Sequence, residues 1–202
     1  EISCSLVGSE MCKETAINDK GELGVWDTLL PCYTVFHKEN ETFSNLWTEW
    51  NDNLMAFLSS YERDIEMFGA NYDIDAKPGI PANTFPISSL PWATFTGFNL
   101  NIFADGSYLL PIFTYGKYFR QDDKYLIPLS IQVHHAVCDG FHVSRLINEI
   151  QQICNNKVYG NAICTAYLIE IMIKIGFSLP SVFFYKFKHK NFSFINVVTL
   201  GS

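Results

Sequence analysis

Apolar residues between positions 43 and 68 fall at Phe43, Leu46, Trp47, Trp50, Leu54, Phe57, Leu58, Tyr61, Ile65 and Phe68. Every step is one, three or four residues, the spacing of one face of an α-helix. Glu49, Asp52, Glu62, Arg63, Asp64 and Glu66 take the other faces, and Gly69 supplies a C-terminal cap. The pattern predicts a helix over 43–68. Val143, Leu146, Ile147, Ile150, Ile153 and Cys154 repeat the same spacing and predict a second helix over 143–154.

Extended segments read differently. Residues 15–17 and 23–36 flank the turn sequence Asn18, Asp19, Lys20, Gly21, and Pro31 is expected to bend or break the second of them. Residues 69–86, with Pro78, Gly79, Pro81 and Asn83, read as a long loop. Three strands are expected over 92–103, 108–119 and 125–133, joined by turns at 104–107 and 121–124, which suggests an antiparallel meander. The resulting fold class is α/β, a mixed and largely antiparallel sheet with helices packed on one face.

Composition narrows the function. Of 202 residues, 48% are hydrophobic and 17% charged, enough apolar material for a sizeable core and too much for a disordered chain. The net charge of −7 argues against nucleic acid as a partner, since such binders present a basic face. Residues 156–202 depart from the rest, with five lysines against Glu170 alone, and mark a compositional boundary. Residues 162–175 are apolar and helix-like and 182–187 strand-like. Glu170 and Lys174 interrupt the apolar run, so no membrane span is expected. The six cysteines show no CxxC pair, and the start of the chain shows no basic segment followed by an apolar one. Free thiols in the cytoplasm are the simpler expectation, which leaves the sequons at Asn40 and Asn191 as chance matches.

The chemically informative stretch runs His134, His135, Ala136, Val137, Cys138, Asp139, Gly140, Phe141, His142, where a strand passes into a helix. Junctions of this kind hold side chains rigidly, and histidine suits general-base work at neutral pH. The residues alone leave three readings open: a satisfied polar cluster, a base on a strand end, or a metal site. The last is disfavoured because adjacent strand residues face opposite ways, so both histidines would not reach one ion.

The stretch also resembles the HHxxxDG signature of the chloramphenicol acetyltransferases. Residues 32–37, 41–43, 88–92, 97–101 and 110–118 look like that family in the same order, and the resemblance covers about residues 14–154. It divides the chain into an unmatched segment 1–13, a family-like domain 14–154 and an apolar, basic tail 155–202. It implies acetyl transfer from acetyl-CoA, as a co-substrate and without a metal, to the primary hydroxyl of chloramphenicol in a ternary complex. His135 matches the general base, Ser88 a hydroxyl that stabilises the oxyanion, and Thr114 a residue holding an ordered water. Asp139 matches a carboxylate that steadies the base-bearing loop through an arginine. Phe43 and Phe98 match acceptor-pocket positions, and Lys117 and Tyr118 lie where the family contacts CoA. The resemblance further implies a homotrimer with active sites between subunits.

Family members carry a further segment ahead of the position of Glu14, including that arginine and part of the acceptor pocket. On this reading a buried, unpaired Asp139 is expected to weaken activity. The alternatives are a weak or inactive remnant, or a CoA-dependent acyltransferase with another hydroxyl acceptor.

Overall fold

The computed structural model describes residues 15–17, 21–100, 108–122, 124–155 and 191–201. Strands β1 (Thr15–Ile17) and β2 (Leu23–Val25) pair antiparallel as a separate ribbon. The main sheet holds β3 (Leu30–His37), β4 (Thr42–Trp47), β5 (Thr84–Leu90), β6 (Ile112–Gly116), β7 (Phe119–Gln121), β8 (Lys124–His134) and β9 (Asn191–Gly201). Its order is β4-β3-β5-β6-β8-β7, with β9 also on β8. The pairs β3–β4, β6–β8 and β7–β8 are antiparallel, while β3–β5, β5–β6 and β8–β9 are parallel. The sheet is therefore mixed, as expected, and two helices, α1 (Leu54–Phe68) and α2 (Gly140–Asn155), pack on it.

One register row explains the layering. Leu46, Tyr33, Ile87, Phe113 and Ile131 are successive cross-strand partners over five strands. Partners in register share a face, and this apolar row lies against the helices. Tyr33 and Leu46 pack with Phe57, Leu58 and Tyr61 of α1. Leu129, Ile131 and Val133 pack with Val143, Leu146, Ile147 and Ile150 of α2, and Ile87 touches both clusters. The second helix starts earlier than the predicted 143, at Gly140, and its apolar face is as expected from Val143 to Ile150.

Buried among the helix-facing residues is a polar chain. Lys77 Nζ donates to both carboxylate oxygens of Asp64 at 3.0 Å and to the Trp47 carbonyl at 3.3 Å, with the Trp47 ring 3.9 Å away. Thr48 Oγ1 donates to Asp64 Oδ2 at 2.8 Å, so the Tyr33 hydroxyl, also at 2.8 Å, donates to Thr48. Burial holds the Tyr33 phenol far above its ordinary range.

Several expectations are corrected. The helix predicted over 43–68 begins only at Leu54, because residues 42–47 pair with β3 along their whole length. In β4 the apolar Phe43 and Trp47 alternate with Ser44 and Leu46 across the two faces. Asn53 caps α1 by accepting from the Ala56 N–H. Gly69 is its C-cap, the N–H donating to the Ile65 carbonyl at 2.9 Å, and an added Cβ there would lie 2.5 Å from that oxygen. The loop over 69–86 ends early, at β5. Pro31 and Pro86 do not break their strands; they occupy neighbouring registers, paired with Phe85 and Cys32. Residues 92–100 form no strand, and 108–119 gives β6 and the start of β7 with a break at Lys117 and Tyr118. Cys138, taken as a free thiol, is disulfide-bonded.

At the β4 edge the Asn45 N–H donates to the Ile74 carbonyl at 2.7 Å, and the Ala76 N–H to the Asn45 carbonyl at 2.9 Å. They form an isolated bridge between Asn45 and Asp75. The expectations for 1–13, the turn at 104–107, the helix over 162–175 and the strand over 182–187 lie outside the described residues. Among the described residues no helix is long and apolar enough to cross a membrane.

Candidate active site

β8 delivers the histidine pair to a turn secured at both ends. The His134 carbonyl accepts from the Val137 and Cys138 N–H groups at 3.1 Å, and His134 Nδ1 accepts from the Ala136 N–H at 3.2 Å. His134 is thereby committed to the turn, with its ring proton on Nε2. His135 is exposed, and among the described residues its imidazole has no hydrogen-bond partner. Of the two, only His135 is free to accept a proton from a substrate.

Asp139 starts the helix that follows. Its carbonyl accepts from Val143 N–H, and its Oδ1 accepts from the His142 N–H at 3.0 Å and from His142 Nδ1 at 2.6 Å. This is the N-cap of α2. The backbone N–H of His142, ahead of its ring, holds the Asp139 carboxyl below the usual carboxylate range. The carboxylate is 54% exposed, not buried and unpaired as expected, and its described partner is a histidine.

The sheet face turned away from the helices carries a row of hydroxyls. Ser88, Thr114 and Ser130 are successive register partners on β5, β6 and β8. Ser88 is half-buried, and Thr114 and Ser130 are buried. On the same face, burial first and then Asp75 push the Cys32 thiol up to about 11, so it stays protonated and is no nucleophile at neutral pH.

Residues 91–100 cross this face. Phe36 contacts Phe43 and Trp92, with ring centroids 5.1 and 4.9 Å apart, and Phe43 and Trp92 are both exposed. Phe98 stacks on Phe95 at 5.2 Å. Lys117 and Tyr118 follow β6 directly. Lys117 is exposed, and Tyr118 packs on Tyr125 at 6.0 Å.

The structure brings Ser88 and Thr114 together but not His135. His135 lies in the turn just beyond the end of β8 at His134, five residues past Ser130, a path of at most about 17 Å at the rise of a strand. Lys117 lies beyond the opposite end of β6. A single chain thus displays a base on the turn after β8 and a hydroxyl row on the sheet face, with no hydrogen bond between them among the described residues. Among the described residues no group of three His, Cys, Asp or Glu side chains could hold a metal ion. Ser130 and Gln132 were not singled out from the sequence, although they alternate with the apolar Ile127, Leu129, Ile131 and Val133 along β8, which is the signal of a second, polar face.

Comparison with known proteins settles the family. A model of the chloramphenicol acetyltransferase family matches residues 6–151. The chain belongs to the chloramphenicol acetyltransferase family. Chloramphenicol acetyltransferase of Campylobacter coli is 56% identical over 141 residues, covering 70% of this chain and 68% of that protein. A chloramphenicol acetyltransferase of Clostridium perfringens is 55% identical over 142 residues, covering 70% of this chain and 65% of that one. The chain thus spans about two thirds of the length of these relatives. Among solved structures, a chloramphenicol acetyltransferase superposes with a TM-score of 0.57 at 16% identity, over 71% of this chain and 69% of that one. This likeness shows the fold, the mixed sheet with helices on one side.

Proposed function

We propose that this protein transfers acetyl from acetyl-CoA to the primary hydroxyl of chloramphenicol, with His135 as the general base. The observation that carries the reading is the free imidazole of His135 on a turn pinned by β8 and α2, in a chain 56% identical to a relative of that name. His135 takes the hydroxyl proton as the oxygen attacks the thioester carbonyl. The C–O bond forms, the tetrahedral oxyanion accepts a hydrogen bond from Ser88, and collapse breaks the C–S bond. The CoA thiolate leaves and receives the proton from His135. Thr114, in register beside Ser88, holds a water at the same intermediate. Phe43 and Phe98 line the acceptor pocket, while Lys117 and Tyr118 meet CoA. No metal takes part in this scheme.

The separation of His135 from the hydroxyl row within one chain supports a composite site. His135 of one subunit then meets the Ser88 face of its neighbour in a homotrimer. Asp139 keeps the His135 turn in place as the helix cap. Acetyl-CoA as the donor supports a cytoplasmic site of action. The test follows CoA release with a thiol reagent, with and without chloramphenicol, alongside light scattering. Chloramphenicol-dependent thiol release from a trimer supports the reading. Release with other hydroxyl acceptors only, or none from the folded protein, overturns it.

A further inference from the structure

We propose that Ser130 and Gln132 are positioning residues that set the acceptor specificity of the site by pinning the segment that carries Phe98. Both sit on β8, on the face opposite α2, two residues apart and so side by side on one face. Ser130 Oγ donates to the Phe98 carbonyl at 3.3 Å, and Gln132 Oε1 accepts from the Leu100 N–H at 3.2 Å. The two bonds hold the backbone on either side of Asn99. The far end of the segment is fixed separately, where the Lys117 N–H donates to the Ala93 carbonyl at 2.8 Å. Between these anchors the contact is tight. A Cβ at Gly116 would lie 2.8 Å from the Phe95 ring and 2.9 Å from the Ala93 oxygen, and Phe95 in turn supports Phe98.

Segment 91–100 has no strand partner of its own, so these side-chain bonds do for it what a ladder does for β6. Ser130 is 3% exposed, and its hydroxyl is committed to this one backbone oxygen. Losing it lets Phe98 shift against the sheet while the hydroxyls of Ser88 and Thr114 stay in register. The consequence falls on the aromatic acceptor and not on the acetyl donor.

This inference rests on the proposed reaction, and its test separates the two. Ser130→Ala, Gln132→Ala and Ser130→Thr are compared with the unaltered protein by Michaelis kinetics in each substrate and by amide hydrogen exchange. Ser130→Ala and Gln132→Ala are each expected to raise the chloramphenicol KM about five- to tenfold, the effect of one lost hydrogen bond, with the acetyl-CoA KM unmoved. Exchange at Leu100 is expected to quicken in Gln132→Ala, and Ser130→Thr to restore chloramphenicol binding. An unchanged Leu100 exchange rate, or kcat and both KM values moving together, overturns the pinning. If the unaltered protein turns over nothing, the proposed function fails and the exchange arm still decides whether the two residues hold the segment.

Discussion

Asp139 Oδ1 lies 2.6 Å from Nδ1 of His142 and 3.0 Å from the same residue's backbone nitrogen. One carboxylate oxygen thus caps α2 and orients a histidine, three residues on, at the exit of the turn that carries His135. The far end of the turn is thus held through the first residues of its own helix.

The acid behaviour of this cap has a definite sign. The folded carboxyl lies below its ordinary value because it accepts from His142. Its stabilisation is therefore complete above the unfolded value of about 3.9 and disappears as pH falls through the folded one. Asp139→Asn is expected to lower the midpoint of denaturant unfolding at neutral pH and to converge with the unaltered protein in acid. Parallel unfolding curves for the two proteins from pH 7 down to pH 2 contradict this account.

The histidines are expected to separate cleanly. His135→Ala lowers kcat by about 10²–10⁴, the usual contribution of a positioned base. His134→Ala removes the acceptor for the Ala136 N–H and costs about 1 kcal/mol of stability. Steady-state rates and thermal unfolding on both variants check the division, and equal, small rate effects reject it.

Ser88→Ala removes the proposed oxyanion donor while leaving the β5–β6 register intact. A fall in kcat of about 10²–10³ is expected, with little change in KM. Thr114→Ala, acting through water, has the smaller effect. The same thiol-release assay measures both, and a Ser88→Ala rate near that of the unaltered protein removes Ser88 from the mechanism.

The largely buried pair of Asp64 and half-buried Lys77 on the helix side is a stability element. Asp64→Ala leaves the Lys77 ammonium facing the Trp47 carbonyl and ring without its counter-charge. A loss of about 3–5 kcal/mol is expected. Asp64→Leu combined with Lys77→Met recovers much of it, because the two apolar groups no longer bury a charge. Urea unfolding of the single and double variants tests this.

The sequence announced α2, β8 and the His135 turn because each is written locally, in a helical period, an alternation and a short motif. It hid β4 because Phe43, Leu46 and Trp47 satisfy a helical period and a strand pairing equally well. What decides is β3, distant in neither sequence nor space, together with Asn51 and Asn53, whose side chains start α1 late. β5 was hidden by Pro86, which reads as a breaker until Cys32 appears opposite it. Ser88 was found by resemblance, whereas its alignment with Thr114 and Ser130 depends on the register of three strands, which no local pattern encodes. Segment 91–100 alternates well enough to suggest a strand, but its backbone is claimed by the side chains of Ser130 and Gln132.

The bridge between Asn45 and Asp75 bears on how this sheet behaves in a crowded solution. An exposed outer strand is a template on which another molecule can add its own. Here both backbone groups of Asn45 are already taken by residues 74 and 76, so an incoming strand meets a chain in its path midway along β4. The short loop after α1 works as a doorstop against polymerisation, and replacing Ala76 by proline would remove half of it.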